Sequence, residues 1–265
     1  MSLTRRTLLT GALATAAVGC GVPGVGNDRT VSGRLDSRWM KETVGWAIHY
    51  PPGHGPGDRL PVVISLHGRG GSHSTTFTQL HLGDVVDDAV RAGARPFAIA
   101  SVDGGDDGYW HRRGDGTDAG AMVRDSFVPV LRQHGLRTSQ LALYGWSMGG
   151  FGALLLTGKR LLGPRAVAVS SPALFASAGV TAAGAFDDAA DVDRNDVAAH
   201  PEWLRGVSLR IDIGRSDPFF AETRRFVESL HPRPAGGFES GGHDADFWRR
   251  MAPAQMRFLA RHWGR

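Results

Sequence analysis

From residue 43 onward the chain alternates short apolar runs with longer stretches whose apolar residues recur at helical spacing. The runs at 43–50, 61–67, 96–102, 140–145, 166–170 and 208–214 predict strands, and a weaker signal covers 237–240. Several, such as Val62-Val63-Ile64-Ser65-Leu66 and Phe97-Ala98-Ile99-Ala100-Ser101, lack polar alternation, which suits a sheet covered on both faces. Helical patterns occupy 79–92, 119–134, 148–161, 221–230 and 244–263. Strands alternating with helices predict one α/β domain over 37–265, a mostly parallel central sheet flanked by helices. Residues 171–205, rich in Ala and Asp, break the alternation and predict a small helical insertion over the carboxyl edge of the sheet. In sheets of this kind, ligands bind at that edge.

The amino terminus follows a different pattern. Arg5-Arg6 precedes an apolar, Ala-rich run from Leu8 to Val18, and small residues follow it. A basic start, an apolar run too short to span a bilayer and small residues at its end predict a signal peptide over 1–20. The paired arginines resemble a twin-arginine export signal. Ala17-Val18-Gly19-Cys20 resembles a lipobox, in which Cys20 is acylated and becomes the first residue, giving a membrane anchor; the alternative is ordinary cleavage that discards Cys20. Cys20 is the only cysteine, so a disulfide within the chain is excluded. Residues 21–36, opening with Gly21-Val22-Pro23-Gly24, are expected to form a flexible tether. The expected location is the cell envelope, on the outer face of the plasma membrane, or the medium if the anchor is absent.

Composition narrows the partners. Among 265 residues, 42% are hydrophobic and 21% charged, which excludes disordered, collagen-like and coiled-coil chains. The net charge of +4 drops to about +2 without Arg5 and Arg6, and no basic run is interleaved with aromatics. A nucleic-acid partner is therefore not expected, and no protein partner is inferred.

The strongest chemical signal is Gly145-Trp146-Ser147-Met148-Gly149-Gly150, which fits G-x-S-x-G between an apolar strand and an apolar helix. A sharp strand-to-helix turn exposes the serine Oγ, and small residues on either side allow close packing of the neighbouring chain. Ser147 is the predicted nucleophile. A serine hydroxyl needs a base, and the base an orienting acid. His243, in the glycine-rich loop Gly241-Gly242-His243-Asp244, is the predicted base; His200, His231 and His262 are less well placed. Asp217, in Gly214-Arg215-Ser216-Asp217-Pro218, is the predicted acid, with Asp212 as runner-up. Asp187, Asp188 and Asp191 are expected on a solvated face of the insertion. The oxyanion hole is expected to combine the Met148 N–H with one from Leu66-His67-Gly68-Arg69-Gly70-Gly71, Arg69 first and Gly68 or Gly70 next. The 102–111 segment follows a strand, and its Tyr109 and Trp110, with Trp146 and Gly68, are expected to meet the substrate. Aromatics packing within an exposed loop are the alternative for that segment. No HExxH motif or Cys/His cluster calls for a metal, and no organic cofactor is implied.

Taken together, HGRGG, VDGG…YW, GWSMGG, GRSDPF and GGHDADFW resemble the α/β-hydrolase serine esterases of the esterase D branch, which also contains secreted mycolyltransferases. The resemblance runs from about Pro61 to the C-terminus. It implies an α/β-hydrolase fold, Ser147, Asp217 and His243 as a triad, and Arg69 and Met148 as oxyanion donors. It also implies that the VDGG…YW loop lines the substrate site. His67 departs from it, standing where mycolyltransferases carry an acidic residue that holds the sugar, and the disulfide of some of those enzymes is impossible here. The expected function is an exported carboxylic-ester hydrolase acting on a small-molecule, lipid or sugar ester. The alternatives are an acyltransferase using the same acyl-enzyme and a non-catalytic binding protein on the same scaffold.

Overall fold

The structure, a computed structural model, describes residues 29–263 other than 177, 178 and 180. The proposed signal peptide and Cys20 lie outside the described residues. In chain order the strands are β1 (Thr30–Ser37), β2 (Glu42–His49), β3 (Pro61–Leu66), β4 (Ala98–Val102), β5 (Arg137–Trp146), β6 (Ala166–Ser170), β7 (Ser208–Gly214) and β8 (Ala235–Glu239). They form one sheet in the order β1-β2-β4-β3-β5-β6-β7-β8. The β1/β2 and β2/β4 pairs are antiparallel; β4/β3 and all pairs from β3 to β8 are parallel. This is the mostly parallel sheet of an α/β-hydrolase fold, and the strands expected from the apolar runs are all present.

β1 overturns part of one expectation. The tether assigned to 21–36 enters the sheet from Thr30, pairing along its whole length with β2 from Thr30↔His49 to Ser37↔Glu42. Its pattern is partly exposed, with Val31 and Leu35 its only large apolar residues, so an edge strand of this kind carries little hydrophobic signal.

Among the described residues, the helices that flank the sheet are α1 (Thr75–Thr78), α2 (Leu82–Arg91), α3 (Ala119–Met122), α4 (Val128–Gln133), α5 (Met148–Gly158), α6 (Ala189–Asn195), α7 (Phe220–Ser229) and α8 (Ala245–Ala260). A π-helical turn, Val123–Phe127, joins α3 to α4 into one segment. Period-two alternation divides each central strand between two cores. Val62, Ile64, Ala98, Ala100, Leu141 and Leu143 face one side with Met122, Phe127, Leu154 and Phe226. Val63, Ile99, Ala142, Tyr144 and Trp146 face the other with Leu82, Val86, Phe247 and Met256. Helix α5 is buried at every position, which fits its almost wholly apolar sequence beside β5, β6 and β3. The insertion expected over 171–205 contains α6 and a 3-10 turn, Pro201–Leu204.

β4 lies on one side of β3 and β5 on the other, so the strand order reverses where the chain leaves β3 and β5. The loops leaving those adjacent strands diverge there and open a crevice at the carboxyl edge. The loops after β3, β4, β5, β7 and β8 carry the five motifs singled out in the sequence.

Candidate active site

Ser147 directly follows β5 and caps α5 with φ 53° and ψ −122°, a left-handed conformation that a residue with a side chain rarely adopts. Three backbone bonds hold it there: Ser147 N–H donates to Ser170 O at 3.0 Å, and Ser147 O accepts from Phe151 N–H and Ala173 N–H at 3.0 and 3.1 Å. The flanking glycines are required by contact. A Cβ on Gly145 would lie 2.1 Å from Gly149 O, and one on Gly149 would lie 1.9 Å from Leu66 O. Removing both side chains lets β3, β5 and α5 approach closely enough to strain the serine outward.

The other two residues arrive from later loops. Ser216 N–H donates to Gly241 O at 3.0 Å and Arg215 N–H to Glu239 O at 2.8 Å, so the β7 and β8 loops brace one another. His243 Nε2 lies 2.8 Å from Ser147 Oγ, and His243 Nδ1 lies 2.9 Å from Asp217 Oδ2. Asp217 Oδ1 accepts from Phe219 N–H at 2.9 Å. The Asp217 side chain is fully buried while His243 retains 22% exposure, so the carboxylate is shielded and the imidazole faces the opening. Burial acts to raise the Asp217 pKa, but hydrogen bonds from His243 and Phe219 outweigh it and hold the carboxyl below its ordinary value. Phe219 and Trp248 stand edge-on to the His243 ring, each 5.2 Å away, and fix its plane. Asp244 caps α8 by accepting from Phe247 N–H at 2.8 Å.

Asp212, the runner-up acid, is committed elsewhere. Its carboxylate accepts from Arg210 at 2.8 and 2.9 Å and from Gln255 at 2.8 Å. The competing histidines also have other partners: His200 bonds Glu202 and stacks on Trp203, and His262 bonds Phe258 O. His231 precedes Pro232 beyond α7, in a connection on the surface.

In the loop after β3, some backbone N–H groups are already bonded. Gly70 N–H is taken by Asp106 O at 2.8 Å and Gly71 N–H by Gly68 O at 3.0 Å, which removes Gly70 from the candidates and favours Arg69. Met148 N–H opens α5, where the first backbone donors of a helix lack internal acceptors. His67 organises this loop in a way the sequence did not reveal. It is fully buried; Gly104 N–H donates to its Nε2 at 2.9 Å, so the proton resides on Nδ1, which donates to Gly68 O at 2.9 Å. Burial holds the imidazole below its usual pKa, in keeping with this neutral form.

Three residues expected to meet substrate are instead packed inside. Trp146 is buried against Tyr144 and Trp248, and its Nε1 lies where a Cβ on Gly68 would come within 2.7 Å. Trp110 is fully buried, edge-on to His67 at 5.0 Å, with Nε1 donating to His67 O at 3.4 Å. Tyr109 is buried against Phe151, Phe175 and Phe186. These indoles and this phenol brace the loops; Gly68 stays at the crevice, its ideal Cβ 3.4 Å from Ser147 Cβ. Phe175, Phe186 and Phe219 remain half-buried beside the site; Phe219 closes the GRSDPF motif, whereas Phe175 and Phe186 belong to none. Asp191, expected on a solvated face, is also buried, bonded to Asn195 Nδ2 at 2.8 Å. A cleft of about 540 Å³ between Trp110, Lys159 and Asn195 includes neither Ser147 nor His243. Among the described residues no group of three or more His, Cys, Asp or Glu side chains could hold a metal ion.

The Esterase family model matches residues 37–250. A ferulic acid esterase shares the fold with a TM-score of 0.76 at 20% identity, over 88% of this chain and 97% of its own. An S-formylglutathione hydrolase from Agrobacterium tumefaciens gives 0.73 at 17% identity, over 89% and 95% of the two chains. MPT51 from Mycobacterium tuberculosis gives 0.68 at 15% identity, over 87% and 97%. No curated protein matches the chain. At these identities the structural likeness establishes the fold, and the family match extends over most of the chain. The chain belongs to the Esterase family, on an α/β-hydrolase fold.

Proposed function

We propose that the protein is an exported carboxylic-ester hydrolase in which Ser147, His243 and Asp217 act as nucleophile, base and orienting acid. The observation that carries this reading is the unbroken path from Ser147 Oγ to His243 Nε2 at 2.8 Å and from His243 Nδ1 to Asp217 Oδ2 at 2.9 Å. His243 accepts the Ser147 proton as Oγ attacks the ester carbonyl. The Arg69 and Met148 N–H groups receive the developing oxyanion. His243 then passes its proton to the departing alkoxide, leaving an acyl group on Oγ. Water, deprotonated by His243, attacks that acyl group, and the acid departs as the proton returns to Ser147. The ionised Asp217 holds the imidazole in the tautomer with its proton on Nδ1 and stabilises the imidazolium formed at each transfer.

Water rather than a sugar hydroxyl is the acceptor in this reading. Position 67 offers no carboxylate to a sugar: His67 is buried and spends both ring nitrogens on Gly68 and Gly104. Ser147→Ala is expected to lower kcat by at least about 10⁴-fold and to abolish labelling by a fluorophosphonate. An alanine variant with full activity would overturn the proposal, and acyl transfer to added trehalose exceeding hydrolysis would favour the transferase.

Export and anchoring through Cys20 rest on the amino-terminal pattern alone. Cys20→Ala is expected to move the protein from the membrane fraction to the soluble fraction of producing cells; unchanged fractionation would remove the lipid anchor from the proposal.

A further inference from the structure

The chain over 181–188, just ahead of α6, is bound to the body of the fold at three successive carbonyls. Arg69 Nη2 donates to Ala183 O at 2.9 Å, Arg113 Nη1 to Gly184 O at 2.8 Å, and His111 Nε2 to Ala185 O at 3.0 Å. Arg113 also pairs with Asp187 at 3.0 Å, and Asp187 accepts from Gly114 N–H. Gly184, at φ 79°, lies so close to the loop after β4 that a Cβ would come within 2.5 Å of Asp107 Oδ2. A segment with little regular structure is thus fixed, residue after residue, by groups from the loops after β3 and β4.

The residue immediately after these carbonyls is Phe186. Its ring stacks on His111 at 5.1 Å and meets Tyr109, Phe151 and Phe175 at 5.9, 5.8 and 6.0 Å. A line of rings continues toward the site, Phe175 to Phe219 at 5.5 Å and Phe219 to His243 at 5.2 Å. Phe186, Phe175 and Phe219 are each half-buried, so an open apolar stripe leads away from His243. His243 protonates the leaving alcohol, which places the alcohol portion on its side. Phe186 is two rings removed from His243 and packs on Phe151, whose N–H binds the carbonyl of Ser147.

We propose that Phe186 and Phe175 form the wall of an acyl subsite for bulky apolar acyl groups, and that Arg69, Arg113 and His111 are positioning residues that set Phe186 through the Ala183–Gly184–Ala185 carbonyls. This proposal rests on Ser147 acting as the nucleophile. The clamp makes acyl selectivity depend on the Arg69, Arg113 and His111 side chains, which bind the strap rather than the acyl group. Losing an Arg113 contact lets the strap drift and opens the wall, which penalises long acyl groups more than short ones.

The test compares p-nitrophenyl hexanoate with p-nitrophenyl acetate, which share a leaving group. In Phe186→Ala and in Arg113→Gln, the hexanoate-to-acetate ratio of kcat/KM is expected to fall on the order of tenfold, mainly through KM for hexanoate. Arg113→Lys, which keeps one charged donor, restores part of the ratio, and adding Arg113→Gln to Phe186→Ala lowers it no further. An unchanged ratio, or an equal fall for both esters, overturns the proposal. If Arg113→Gln does not fold, Phe186→Ala and Phe186→Leu decide by the same ratio. Absence of any Ser147-dependent hydrolysis in the unaltered protein would instead overturn the function proposed above.

Discussion

Ser147 holds a backbone conformation that it would not choose, and the groups that impose it are glycines rather than catalytic residues. Gly149 is the more demanding, because its missing Cβ would stand 1.9 Å from the backbone oxygen of Leu66, which cannot swing aside. Gly149→Ala is therefore expected to destabilise the fold by about 3 kcal/mol or more, and to lower activity beyond the loss of folded protein as β3 and α5 separate. Thermal unfolding and active-site titration check this; a variant with unchanged Tm and kcat would contradict the contact. The same scale explains why His67 escaped recognition as a functional residue. Its role is to join Gly68 to Gly104, and neither partner can be inferred from a histidine after an apolar strand.

Among the elements, the central strands and α5 follow directly from their apolar runs, because burial on both faces leaves few polar positions to blur the pattern. β1 did not, since an edge strand needs only one row of apolar residues and β1 has Val31 and Leu35. Its position depends on a contact across the pair: Gly33 lies opposite Trp46, and a Cβ there would sit 2.5 Å from the indole. Gly33→Val is expected to displace Trp46 and cost about 2 kcal/mol of stability, while leaving kcat nearly unchanged because β1 is at the sheet edge away from β5. Chemical denaturation beside esterase assays tests it; a large loss of kcat in the folded variant would contradict that separation. The apolar pattern over 119–134 reads as one helix, and the π turn at Val123–Phe127 is a local insertion that periodicity does not resolve.

At the level of the molecule, buried imidazoles couple stability to pH. Burial holds His67 and His111 below the ordinary value of 6.5, and His134 as well. Their folded pKa values are therefore lower than the unfolded ones. Above about pH 6.5 they contribute no pH dependence; below it the unfolded chain binds more protons, and stability falls until the folded values are passed. Tm is expected to drop between about pH 7 and pH 5, and His67→Gln to show a shallower slope. A slope unaltered by that substitution would contradict the assignment of His67 as neutral in the fold. Asp217 works over a different range. Its depressed pKa keeps it ionised through this window, and its contribution is lost only as pH falls through that lower value.

The sequence by itself determined the α/β class, singled out Ser147, Asp217 and His243 in chain order, and marked the glycines of the serine turn. Each of these is written in local pattern, where a strand's apolar run or a turn's backbone geometry restricts the residues that can stand there. Tertiary structure alone decided which donors in the loop after β3 remain unpaired, that Asp212 is spent on Arg210 and Gln255, and that Tyr109, Trp110 and Trp146 brace the crevice instead of lining it. It alone also brought Phe175, Phe186 and Phe219 into one line. The physical reason is that a side chain's partners are set by which loops converge at the strand ends, a long-range property that no window of neighbouring residues encodes.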